Sequence, residues 1–183
     1  MRKGTSLSLV LALLLFGVLG CTILTPEQKA EMYGPNPPRL VAAFAQTQMP
    51  FPTIWQIFLG AEDPDGDMVN IEANVRVAGG NFDFATVHIK PEMSRSFKGY
   101  VWLDLPVGSS VGFRTVTLTL WVVDRAEHRS QFAVFNLYTG EQMSAEEKAQ
   151  LERFEKEYQL ALGPIGIGLD FDGGGGNGSR LFR

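Results

Sequence analysis

The chain has little of several things that chemically active proteins use freely. It holds one cysteine in 183 residues, so no intrachain disulfide can form and no cysteine-rich zinc site can be built. Its two histidines, His88 and His128, lie far apart and offer neither paired ligands nor a Cys–His nucleophile. Lys+Arg number 16 against 20 Asp+Glu, and this net charge of −4 opposes binding to nucleic-acid phosphates. The glycine-rich end lacks the Gly-Lys-Ser/Thr close of a phosphate loop. What is present is a 45% apolar content, enough for the core of one domain.

The longest apolar run is at the N-terminus. Arg2 and Lys3 precede Leu7 to Leu19, 13 residues of which 11 are apolar. A helix of that length rises only about 20 Å against a hydrocarbon core of about 30 Å, so the run predicts a secretory signal peptide over residues 1–20. It closes on Val18-Leu19-Gly20-Cys21. This ending resembles the lipobox of bacterial lipoprotein signal peptides, with Val18 where that family prefers leucine. The resemblance implies cleavage before Cys21 and acylation of Cys21, hence a membrane partner held through its acyl chains. Each buried CH₂ would contribute about 0.8 kcal/mol. It implies the bacterial cell envelope, and because Thr22 is not the aspartate of inner-membrane retention, the outer membrane over the inner. Loss of residues 1–20 leaves a net charge of −6, so the anchor alone is expected to contact lipid.

Residues 21–38 read as a tether. Thr25-Pro26-Glu27-Gln28 has the capping-box form with proline at the first helical position, and Gly34 is a stop signal. The run Gly34-Pro35-Asn36-Pro37-Pro38 is expected to be extended and to space a domain from the bilayer.

Residues 39–140 read as strands. Val69, Ile71, Ala73, Val75 and Val77 alternate with polar residues, as do Val116, Leu118, Leu120 and Val122. That period of two belongs to antiparallel strands with one face on a core. Weaker segments at 40–46, 53–61, 84–90, 97–105 and 131–138 bring the expected number to seven. Turn signals fall at 63–67, 78–81, 107–110 and 125–130, and the spacing predicts a β-sandwich.

Ala61-Glu62-Asp63-Pro64-Asp65-Gly66-Asp67 before one strand, and Leu118–Asp124 before the last hairpin, resemble bacterial Ig-like domains of the PKD, cadherin-like and fibronectin-III-like kind. The resemblance implies an Ig-like antiparallel β-sandwich, and it leaves function open because that fold hosts unrelated tasks. It also puts the 63–67 turn and Asp124 at one end.

Asp63, Asp65 and Asp67 have the alternate spacing of oxygen ligands to a hard cation such as calcium, and Asp124 could add a fourth carboxylate. Met68 and Asn74 occupy the positions where an EF-hand needs glycine and glutamate. The competing reading is an ordinary Asp-Pro-Asp-Gly turn whose acids meet Arg125, His128 and Arg129. Trp55, Trp102 and Trp121 are expected in the core or on sheet faces rather than as a carbohydrate platform.

Residues 141–163 predict a C-terminal helix. Ser144 and Glu147 form a capping box, Leu151, Phe154, Tyr158 and Leu162 make one stripe, and Gly163-Pro164 is the stop. Residues 164–183 begin strand-like, with Ile165, Ile167, Leu169 and Phe171 alternating, and end in a glycine-rich tail. These four residues are candidates for adding a strand to a sheet edge, the chain's own or a partner's.

Taken together, the residues predict a non-enzymatic, lipid-anchored envelope protein presenting an Ig-like domain to an unidentified protein partner. A calcium-stabilised adhesion module is the alternative. A glycan-acting enzyme would require two acids facing each other across a cleft, about 5 to 10 Å apart.

Overall fold

The computed structural model describes residues 24–49, 54–77, 83–105, 115–140 and 142–166. The expected signal peptide, Cys21, Ile167, Leu169, Phe171 and the turns expected at 78–81 and 107–110 lie outside these residues. The elements are α1 (Pro26–Tyr33), β1 (Arg39–Ala45), β2 (Gln48–Met49), β3 (Ile54–Glu62), β4 (Met68–Val77) and β5 (Asp83–His88). A 3₁₀ turn at Pro91–Met93 leads to β6 (Ser96–Asp104), β7 (Thr115–Asp124), β8 (Ala133–Thr139), α2 (Ala145–Glu157) and β9 (Ala161–Pro164). All seven expected strands form, as β1 and β3 to β8, and β2 and β9 are additional.

Two sheets face each other. The first has the order β1-β3-β6-β9 and the second β2-β8-β7-β4-β5. Pairing is antiparallel except for β2 on β8 and β9 on β6. This is the order of an Ig-like sandwich, with β9 in the edge position beside β6. The alternation read in β4 and β7 sends Ile71, Ala73, Val75, Val116, Leu118, Leu120 and Val122 inward, where they are fully buried. Trp55, Ile57, Leu59, Val101 and Leu103 close the core from the first sheet. Trp55 keeps its polar atom satisfied there by donating from Nε1 to the Gln46 carbonyl at 2.9 Å.

The C-terminal region departs from the sequence expectation. α2 ends at Glu157 with Tyr158 as its cap, so Leu162 is not on the helix stripe but in β9. The reason is the open edge of β6. Tyr100 N–H donates to the Leu160 carbonyl at 2.9 Å and Ile165 N–H to the Trp102 carbonyl at 2.7 Å. Leu162 packs on the core and Ile165 is buried in it, which together outweigh one more helical turn. Gly99 permits the approach, because a Cβ there would lie 2.4 Å from the Leu160 carbonyl oxygen. Ile165 therefore adds to the chain's own sheet and is not offered to a partner.

Only half of the expected capping box at α2 forms. Ser144 Oγ accepts from Glu147 N–H at 3.1 Å, but the Glu147 carboxylate turns away to accept from Thr47 N–H. At α1 both halves form, through Gln28 N–H to Thr25 Oγ1 at 3.3 Å and Thr25 N–H to Gln28 Oε1 at 2.9 Å.

Candidate functional site

The strand order brings the β3–β4 turn and the β7–β8 turn to one end of the sandwich, and three of the four candidate acids meet there. Carboxylate oxygens of Asp63, Asp67 and Asp124 lie within 4.8 Å of one another. All three residues are buried, with exposures of 2%, 8% and 2%. Ionised carboxylates are almost never buried so deeply without compensation.

Local backbone supplies much of it. Asp63 ties its own turn, its Oδ1 accepting from Asp65 N–H at 2.9 Å and its Oδ2 from Asp67 N–H at 3.3 Å. Asp67 Oδ2 accepts from Arg125 N–H at 3.2 Å and so links the two turns. Asp124 accepts from His128 N–H at 2.7 Å, and its Oδ2 lies 2.9 Å from His128 Nδ1. Asp67 Oδ1 is buried without a hydrogen-bond partner among the described residues. Burial pushes the Asp67 carboxyl up to about 6, helped by the neighbouring Asp63 carboxylate, to which a protonated Asp67 side chain can donate, and by the charges of Asp124 and Asp63. Burial also raises Asp124, against the opposing pull of its His128 contacts.

Asp65 stands apart from this cluster. Its carboxylate accepts from Asn36 N–H at 2.7 Å and from Asn36 Nδ2 at 2.9 Å, which hold it below the usual carboxylate range. Spacing alone groups Asp65 with the other acids, because the partner that takes it away lies 29 residues off in sequence. The basic side chains also differ from the sequence expectation. The Arg125 guanidinium lies over the Tyr33 ring at 6.0 Å, and Arg129 sits 3.4 Å from Glu72 and 5.1 Å from the Trp121 centroid. Of these three side chains, His128 alone meets the cluster. Arg95, which no sequence signal marked, braces the turn from outside by donating to the Pro64 carbonyl at 2.7 Å.

The β7–β8 turn lacks glycine, and Glu127 takes its left-handed position at φ 69°, alone among the described non-glycine residues. Ser130 closes the turn, its Oγ accepting from Val122 N–H at 2.9 Å and donating to the Gln131 carbonyl at 2.8 Å.

Other candidates separate. Trp102 and Trp121 lie on the outer faces of different sheets, so they share no platform. Nor do the three clustered acids resemble a pair facing a sugar across a cleft, since they touch through turn hydrogen bonds inside the protein. A depression of about 480 Å³ beside the cluster is lined in part by Glu72, Asp124, Arg125 and Arg129.

A different feature appears along β8. Phe132, Val134 and Tyr138 are 69%, 50% and 44% exposed. Among the described residues, the outer edge of β8 is paired only at Tyr138 and Thr139, by β2. Sequence periodicity missed it because apolar residues occupy both faces of this strand. No helix among the described residues is long and apolar enough to cross a membrane. No protein-family model matches the chain, and no curated protein matches it significantly.

Proposed function

We propose that this protein is a lipid-anchored, non-enzymatic component of the bacterial cell envelope that presents an Ig-like sandwich to a protein partner. The observation that carries the reading is Cys21, the chain's one thiol, closing the Val18-Leu19-Gly20-Cys21 motif behind a basic and apolar leader. A strand of the partner would pair with the open edge of β8, seating apolar side chains on Phe132, Val134 and Tyr138. Asp63, Asp65, Asp124 and His128 support a non-enzymatic reading, since turn and tether hydrogen bonds occupy them. Labelled palmitate should enter the full chain and not Cys21→Ala, and the labelled chain should sediment with membranes. A native chain that takes up no label and stays in the aqueous fraction would sink the proposal. A photo-crosslinking residue at position 134 should then give a discrete protein adduct that the same residue at exposed Thr86 does not.

One observation favours a second reading, calcium binding that stabilises the acidic end. Asp67 Oδ1 is buried and unpartnered beside carboxylates of Asp63 and Asp124, an all-oxygen set suited to a hard cation. Calcium needs 6–8 oxygens, so these acids would supply only part of the shell. A cation there would raise the melting temperature of the native chain at neutral pH, and Asp67→Asn would remove the rise. An equal melting temperature in millimolar calcium and in chelator rejects it.

A further inference from the structure

The segment expected to hold the domain off the bilayer is clasped onto the acidic end instead. Lys29 and Tyr33 stand four residues apart on one face of α1, which places both against the same neighbouring surface. Lys29 Nζ pairs with the Glu127 carboxylate, and the Tyr33 ring lies beneath the Arg125 guanidinium at 6.0 Å. Beyond the helix, Asn36 grips Asp65 with two hydrogen bonds, at 2.7 and 2.9 Å. Gly34, at φ 127°, passes so close that a Cβ would fall 2.2 Å from the Asp65 carboxyl carbon. Pro38 is buried as the chain enters β1. Helix and linker are thus tied to both turns at three points, Lys29, Tyr33 and Asn36, although no residue of α1 is itself buried.

The remaining reach is short. From Cys21 to the α1 cap Thr25 is four residues, at most about 14 Å even fully extended. We infer that, if the anchoring proposed above holds, the end of the sandwich formed by residues 63–67 and 124–130 is the surface that faces the lipid headgroups. The clasp fixes this orientation, and the strands stand away from the membrane with their other ends outermost. The face is not a basic one: α1 itself carries Glu27 and Glu31 against Lys29. It is held to the headgroup layer by the anchor and the clasp, without electrostatic attraction to anionic lipid.

Strand β6 provides the ruler. Ser96 pairs with Glu62 next to the acidic turn, and Asp104 pairs with Ile54 at the opposite end. Both are exposed, and the eight residue steps from one to the other span about 26 Å. Because Cys21 would be acylated, a cysteine introduced at either position is the chain's one free thiol. The full chain, expressed with its leader and carrying Ser96→Cys or Asp104→Cys, would be reconstituted in vesicles of phosphatidylethanolamine and phosphatidylcholine. A short-range donor dye on the thiol and an acceptor on the headgroups then report the distance. Transfer from position 96 should exceed that from position 104 severalfold. Equal transfer, or more from 104, overturns the orientation. Adding Asn36→Ala and Tyr33→Ala should shrink the difference, and a difference unchanged in size shows that the clasp does not set it. Flotation separates the two ideas. A native chain that fails to float with the vesicles overturns the anchoring reading and this inference with it, whereas a floating chain with equal transfer overturns the orientation alone.

Discussion

The outer faces of the two sheets are built on opposite terms. On the first sheet, Phe44, Phe58, Tyr100 and Trp102 form a chain of ring contacts with centroids 6.0 to 6.4 Å apart. α2 lies over it, stacking Phe154 on Phe44 at 4.7 Å and placing Tyr158 beside Phe154 at 4.9 Å. Phe58 points away from the central core and is still only 1% exposed. On the second sheet the outer residues are mainly polar: Asn70, Glu72, Asn74 and Arg76 on β4, and Thr115, Thr117 and Thr119 on β7. Their links are local and side by side, such as Thr117 Oγ1 to Asn136 Oδ1 at 2.8 Å and Trp121 Nε1 to Glu72 Oε2 at 2.7 Å. The first sheet is therefore covered over the middle of its outer face, around Phe58, while the second is open on that side, and the cover is a helix with none of its own residues buried.

The sharpest way to break this contrast is Phe58→Ala. The change removes a ring packed among Phe44, Tyr100 and Phe154 and should cost about 3–5 kcal/mol in equilibrium urea unfolding. A loss below about 1 kcal/mol would mean that α2 does not seal the face in solution.

A middle-sized effect belongs to the end where the two sheets join. Asp67 has its pKa raised from 3.8 to about 6 by burial, so the folded protein binds its proton more tightly than the unfolded chain does. Stability from this group should therefore fall as pH rises from about 4 to about 6. Asp65 is shifted down by Asn36 and acts with the opposite sign, stabilising when ionised and losing that contribution as pH falls below 4. Asp67→Asn should flatten the decline between pH 4 and 6 measured by urea midpoints. An unchanged slope would show that Asp67 is solvated and that the cluster is open to water.

The same contrast explains what could be read from the residues alone. β4 and β7 show a strict period of two because one face meets solvent, and their inward residues were legible. β3 carries Ile57, Phe58, Leu59, Gly60 and Ala61 all buried, so its pattern is nearly continuous and its signal weaker. β9 has no local signature at all. Gly163-Pro164 reads as a helix stop, while the open edge of β6 and the space left by Gly99 turn the preceding residues into a strand. At the candidate site, the grouping of Asp63, Asp67 and Asp124 follows from spacing and topology. The removal of Asp65 does not, nor does the brace from Arg95, because both depend on partners about thirty residues away.

The smallest expected effect tests the open face most directly. Thr119 lies opposite Asn74 in the pairing of β4 with β7, with its side chain on the outer surface. Thr119→Ala gives up some β-propensity and little contact area, so it should change stability by no more than about 0.5 kcal/mol. A threonine sealed under another element would behave otherwise, leaving a buried hydroxyl partner unsatisfied and costing about 1–3 kcal/mol. A measured loss in that upper range would mean that the second sheet is covered in solution, as the first is by α2. If that loss also grew with protein concentration, the cover would be a second copy of the chain, because only an association equilibrium makes a surface substitution concentration-dependent.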